Sequence, residues 1–206
     1  MYCMQTIIGN DIGKAAQLLS QNEVVAIPTE TVYGLAGNAL HEKVIKRIFQ
    51  IKKRPATVPL MLQLPAFEKV FDYVENVPEI FFQLADRFSP GPLTYVMQKS
   101  KLIPDIATAG LGTIAIRIPD HPVTLKLLEK LDFPIFVPSA NMYGEKSPDT
   151  AKKVYKNFNG KIPFILDGGK CKYGKASTII TIDNNKVIIL RQGSITEKEI
   201  SEALKT

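Results

Sequence analysis

An α/β fold with a mixed sheet flanked by helices is what this sequence predicts, and three observations carry the prediction. Short apolar runs of strand length alternate with segments of helical periodicity, without the strict regularity of repeated βαβ units. Two β-branched runs near the C-terminus are split by Asp183, Asn184 and Asn185, a hairpin signal that requires antiparallel pairing somewhere in the sheet. No internal repeat, low-complexity tract or Pro/Gly/Ser-rich linker divides the 206 residues, so residues 1–206 are expected to form a single domain.

Taken in order, residues 23–27 read as a short strand ended by Pro28, whose missing N–H stops regular pairing and opens a loop. Over residues 41–53, Val44, Ile45, Ile48, Phe49 and Ile51 recur at helical spacing, and Lys52, Lys53 and Arg54 gather at the end before Pro55 stops the helix. Residues 59–64 read as a buried strand, 78–88 as a helix and 93–97 as a strand, with Pro90, Gly91 and Pro92 forming a rigid turn. Weak alternation around Arg117 marks 114–118. A helix at 121–131, a strand at 135–137, a helix at 149–157 and a strand at 164–166 follow. The hairpin is expected from strands 177–182 and 186–190, and residues 196–204 close the chain as a helix.

Composition narrows the class. With 45% hydrophobic and 22% charged residues the chain is neither disordered nor membrane-spanning by content. No run approaches the roughly 18 apolar residues of a membrane helix, and residues 1–14 show no basic stretch followed by an apolar one, so the expected compartment is the cytoplasm. Cys3 and Cys171 are expected as two free thiols. The formal charge of +6 points to polyanionic partners, a requirement that ATP, tRNA and a merely solvated basic face all meet.

Two familiar chemistries are disfavoured. The stretch Gly169 to Lys175 matches the start of a phosphate-binding P-loop, but Ala176 replaces the magnesium-holding hydroxyl and a β-branched run follows where a helix is needed. His41 and His121, the two histidines, stand apart from both cysteines and read as residues at helix starts. No metal site built from protein side chains is expected, and no nucleophile–base pair is evident.

What remains is a series of polar segments at strand ends: PTETVYGL at 28–35, KKRP at 52–55, PGPLT at 90–94, RIP at 117–119, PSAN at 138–141, Ser177-Thr178, and RQG at 191–193. Hydroxyls and cations so placed suit a phosphate and amino-acid site. Each also has a plain alternative: Thr29 and Thr31 as turn caps, Lys52 and Arg54 as complements to a helix dipole, Ser139 bonded to its own backbone. In order and spacing, however, the segments together resemble the YrdC family, also called TsaC, of threonylcarbamoyl-adenylate synthases, over nearly the whole chain from about Val24 to Gly193.

The resemblance implies a twisted, mixed, largely antiparallel sheet flanked by helices around a basic cavity that holds ATP beside threonine. It assigns Thr31, Arg117, Ser177, the backbone near Val137 and the position of Gln63 to threonine. Lys52, Arg54, Val58, Thr113, Ser139, Asn141, Ser147 and Arg191 fall around ATP, with Lys52 and Arg54 as the catalytic cations. Two positions depart from the pattern, since Gln63 stands where a histidine is often found and Val58 where a polar residue often precedes it. The additional C-terminal domain of longer relatives is not expected within these 206 residues, so its role would be dispensable or supplied by a partner.

The implied reaction joins threonine, bicarbonate or CO2 and ATP into threonylcarbamoyl-AMP and pyrophosphate, with Mg2+ carried on the ATP phosphates. The product would pass to downstream threonylcarbamoyl transferase proteins that modify an adenosine of tRNA, which could itself contact this chain. Two rivals stand beside this reading. One is a module that grips double-stranded or ribosomal RNA by its phosphates. The other is a carbamoyl-adenylate-forming enzyme like the YrdC-containing hydrogenase maturation factors.

Overall fold

A computed structural model describes residues 5–205. Cys3 therefore lies outside the described residues, while Cys171 is a buried free thiol whose burial pushes it up to about 11.

The elements, in order, are β1 (Ile7–Gly9), α1 (Ile12–Ser20), β2 (Val25–Ile27), β3 (Gly34–Asn38), α2 (Glu42–Lys52), β4 (Met61–Gln63), α3 (Glu79–Phe88), β5 (Leu93–Gln98) and β6 (Thr113–Arg117). They continue with α4 (Pro122–Leu128), β7 (Ile135–Phe136), α5 (Ala151–Phe158), β8 (Phe164–Leu166), β9 (Thr178–Asp183), β10 (Lys186–Arg191) and α6 (Glu197–Ala203). The strands form one sheet in the order β1-β8-β2-β3-β7-β4-β6-β5-β9-β10. Pairing is mixed: β1–β8, β2–β8, β4–β6 and β5–β9 are parallel, and the other five adjacent pairs are antiparallel, a narrow antiparallel majority.

Local chemistry sets several boundaries. The β9–β10 hairpin turns on Asn184 and Asn185 at φ 47° and 58°, the two left-handed positions of a type I′ turn, which asparagine tolerates. In α2 the apolar face of Val44, Ile45, Ile48, Phe49 and Ile51 is buried, and Lys53 ends the helix at φ 51°. The last helix, α6, opens on a capping box in which the Thr196 hydroxyl accepts from the Glu199 amide and the Glu199 carboxylate accepts from the Thr196 amide.

Three elements went unforeseen, and several were overestimated, the strands expected over 23–27 and 59–64 being limited to Val25–Ile27 and Met61–Gln63. The strand β3 has the sequence GLAGN, poor in β-branched and aromatic residues, and is held by its neighbours β2 and β7 rather than by propensity. β1 and α1 at the N-terminal end also carried no signal that stood out. The helix expected over 121–131 is limited to Pro122–Leu128, and the strand at 135–137 to Ile135–Phe136.

Sheet register decides what faces the functional region. Met61 and Gln63 on β4, Ala115 and Arg117 on β6, and Val96 on β5 alternate with Leu62, Ile116, Tyr95 and Met97, which are buried in the main core. The first set shares one face of the central strands and lines a cavity.

Candidate active site

The cavity has a volume of about 480 Å³, within the range of small-ligand sites. Three arginines, Arg54, Arg117 and Arg191, line it, and among the described residues no carboxylate does. Among the described residues no group of three or more His, Cys, Asp or Glu is arranged to hold a metal ion.

One wall is the turn after β2. The Thr29 hydroxyl accepts from the amides of Thr31 and Val32 at 3.2 Å and donates to the Val32 carbonyl at 2.6 Å, so Thr29 is the turn cap. Thr31 serves differently. Its hydroxyl sits 2.8 Å from that of Thr29 and accepts from Arg117 Nη1 at 2.8 Å. The same Nη1 meets Glu30 Oε1 at 3.1 Å, in an ion pair buried on both sides. Burial lowers the Arg117 pKa and Glu30 opposes the shift, so the guanidinium stays cationic.

A second wall joins β5, β9 and β10. The Ser177 hydroxyl lies 2.8 Å from that of Thr94, and Arg191 Nη2 donates to the Ser177 carbonyl at 2.8 Å and reaches its hydroxyl at 3.3 Å. This crossing needs Gly193, where a Cβ would come within 2.2 Å of the Ser177 backbone. Burial and the charge of Arg117 both lower the Arg191 pKa, the two cations facing one site.

The third wall comes from the end of α2 and the PSAN loop. Tyr33 and Leu35 exchange backbone hydrogen bonds with residues 138, 140 and 148, and Gly34 bridges Ser139, where a Cβ on Gly34 would meet Val137 Cγ1 at 2.3 Å. Val137 and Ser139 line the cavity, and the Ser139 hydroxyl makes no hydrogen bond among the described residues. Ser147 lines it too, donating to Asn141 Oδ1 at 3.3 Å. Arg54 reaches the cavity with Nε on the Val58 carbonyl at 3.0 Å and Nη2 on the Pro59 carbonyl at 2.7 Å, its charge over the Tyr143 ring. Val58 and Thr113 complete the lining on the outer side.

Eleven of the thirteen residues assigned from sequence therefore share this cavity, and two do not line it. Lys52 is 1% exposed, and its ammonium donates to the carbonyls of Ser139 and Asn141, the latter at 2.6 Å. Asn141 turns its amide onto the carbonyls of Met142 and Glu145 at 2.7 and 2.8 Å. Both support the loop from behind, because a lysine ending a buried helix face points at protein rather than at solvent. Burial, with the charge of Arg54 added, pulls Lys52 down to about 7.

Glu30 and Thr94 were missed. Each falls within a recognised segment, but their partners, Arg117 and Ser177, lie 87 and 83 residues away in sequence, and no local pattern announces such a contact. Both atoms of the fully buried Gln63 amide lack a hydrogen-bond partner although the residue lines the cavity.

The chain is similar to several known proteins. Residues 17–193 match the Sua5/YciO/YrdC family model, which is described under telomere recombination. The threonylcarbamoyl-AMP synthase of Pyrococcus abyssi is 44% identical over 190 residues, covering 92% of this chain and 56% of that protein. That of Vibrio vulnificus is 32% identical and covers 89% of this chain and 99% of its own length. A crystal structure of P. abyssi Sua5 complexed with L-threonine superposes with a TM-score of 0.92 at 41% identity, over 97% of this chain and 60% of that one. The chain thus spans a little over half the length of the first curated relatives it matches, at 56%, 56% and 52%. On the family match and these identities, the chain belongs to the Sua5/YciO/YrdC family.

Proposed function

We propose that this chain is a threonylcarbamoyl-AMP synthase that joins L-threonine, bicarbonate or CO2 and ATP, acting in the cytoplasm ahead of tRNA modification. The observation that carries the reading is a cavity lined by three arginines and several hydroxyls with no carboxylate. Such a lining suits two anionic substrates and a reaction needing no enzyme nucleophile. The threonylcarbamoyl-AMP synthase activity of the relatives and the threonine bound to P. abyssi Sua5 support it.

In this reading Arg117, held by Glu30 and Thr31, takes the threonine carboxylate in a fork of hydrogen bonds. The threonine ammonium and bicarbonate condense to a carbamate with loss of water and a proton. A carbamate oxygen then attacks the α-phosphorus of ATP, the bond from that phosphorus to the bridging oxygen breaks, and pyrophosphate leaves. Arg54 and Arg191 stabilise negative charge on the phosphates, in a site where positioning and electrostatics supply the rate. Ser139 and Ser147 offer hydroxyls to the nucleotide. The lining gives Mg2+ no carboxylate ligand, so the cation would arrive on the triphosphate.

The product is a mixed anhydride that a downstream transferase would pass to tRNA. Pyrophosphate release by the purified chain, with each substrate omitted in turn, tests the proposal. Release that requires threonine, bicarbonate and ATP together supports it. Steeply salt-dependent RNA binding without such release would support an RNA-binding module instead.

A further inference from the structure

Two of the three cavity arginines lean on polar side chains, Arg117 on Glu30 and Thr31, and Arg191 on Ser177. Arg54 has no side-chain hydrogen bond or ion pair among the described residues. Its Nε and Nη2 are committed to the Val58 and Pro59 carbonyls, which leaves Nη1 without a protein acceptor. What faces the guanidinium instead is the Tyr143 ring, with the guanidinium carbon 5.9 Å from the ring centre.

Tyr143 is 48% exposed, yet the loop that carries it is tied down. Its amide donates to the Lys52 carbonyl at 2.9 Å, and the Lys52 ammonium donates back to the Ser139 and Asn141 carbonyls. The Asn141 amide then spans the carbonyls of Met142 and Glu145 on either side of the ring. The phenol hydroxyl makes no hydrogen bond among the described residues. An aromatic left half in solvent on a fixed loop gains less from burial than a core ring does, so the charge that its face meets is its distinguishing contact.

We infer that Tyr143 is a positioning residue for the proposed reaction, its ring face holding the Arg54 guanidinium while Nη1 stays free for a phosphate oxygen of ATP. This rests on the proposed activity. An aromatic face attracts a cation through its quadrupole and takes up no N–H donor. A carboxylate in the same place would take donors and neutralise the charge that the phosphates need. Burial lowers the Arg54 pKa and Tyr143 opposes the shift, so the guanidinium stays cationic beside Arg191.

The test compares Tyr143→Leu, which removes the ring, with Tyr143→Phe, which keeps it. Melting temperatures should change little, since the side chain is half exposed. In Tyr143→Leu the affinity for ATP, measured by titration calorimetry, and kcat/KM for ATP should fall about fivefold or more, and Tyr143→Phe should recover most of the loss. The KM for threonine should stay within about twofold. In an Arg54→Met background the same Tyr143→Leu change should no longer weaken ATP binding, because the ring acts through the guanidinium. Equal losses in the Leu and Phe variants would assign the effect to the phenol hydroxyl, and a loss that persists in full without Arg54 would place the ring on the nucleotide itself; either overturns the inference. So would a Tyr143→Leu variant that matches the original chain. If the original chain shows no threonine-dependent pyrophosphate release, the proposed activity falls and this inference with it. If it does and ATP affinity is indifferent to Tyr143→Leu, only the role of Tyr143 falls.

Discussion

Arg117 and Glu30 meet through Nη1 and Oε1 at 3.1 Å, with 2% and 1% of their side chains exposed. The same nitrogen also donates to Thr31, so one end of the guanidinium is committed to protein. Glu30 therefore fixes the direction in which Arg117 presents its remaining donors to the cavity.

Removing one member of a buried pair strands the other. Glu30→Ala should destabilise the fold by about 3–5 kcal/mol in denaturant unfolding. Glu30→Gln, which keeps an acceptor oxygen, should fold better and show its main defect as a raised KM for threonine. A Glu30→Gln variant with unaltered threonine kinetics would remove the positioning role.

Lys52 and Arg54, two residues apart in one motif, should fail in different ways. Lys52→Ala leaves two loop carbonyls without their donor, at a cost of about 1–3 kcal/mol for each. Arg54→Ala, whose carbonyl partners at Val58 and Pro59 are part-buried and exposed, should cost less stability than Lys52→Ala, and about 3 kcal/mol of transition-state stabilisation. Equal stability of the two variants would contradict the bracing role of Lys52.

A pH dependence follows from the same lysine. The folded chain holds Lys52 at about 7, whereas an unfolded lysine titrates near 10.4. Between those values the unfolded state binds more protons, so stability rises with pH across that window, and below about 7 the burial cost is fully present. The stability of the original chain relative to Lys52→Met should therefore improve from pH 6.5 to 9.5. Parallel stability profiles would show that Lys52 keeps an ordinary lysine pKa.

The hydroxyl pair Thr94 and Ser177 makes a prediction about substrate choice. Thr94→Val should loosen Ser177 at about 1 kcal/mol and raise the KM for threonine more than that for ATP, with Thr94→Ser restoring it. In the original chain serine should be a poor but detectable substrate, since a methyl contact is worth about 1–3 kcal/mol. Valine should be rejected by about 10⁴-fold if the substrate hydroxyl is hydrogen-bonded in the site. Equal kcat/KM for valine and threonine would dismiss recognition through the hydroxyl.

Much of the cavity lining was named through the family resemblance, carried by segments at strand and helix ends beside prolines and glycines, which punctuate the sequence visibly. Arg117 and Ser177 could be named from such segments. Their partners could not, because Glu30 and Thr94 acquire meaning only when distant strands pair. Lys52 shows the opposite case: its place near Arg54 suggested a shared role, yet Lys52 ends α2 with its ammonium on the Ser139 and Asn141 carbonyls, while Arg54, past the left-handed Lys53, lines the cavity. In the fold, the amphipathic α2 and the β9–β10 hairpin carried strong periodic or turn signals, whereas β3 is a strand only through its neighbours.

The central claim is tested most directly by pyrophosphate release from the purified chain supplied with ATP, Mg2+, bicarbonate and threonine. The account predicts release that drops to background when either threonine or bicarbonate is withheld, and a nucleotide product bearing threonine through a carbamoyl group. Release that proceeds equally without threonine, or a product lacking the amino acid, would contradict it.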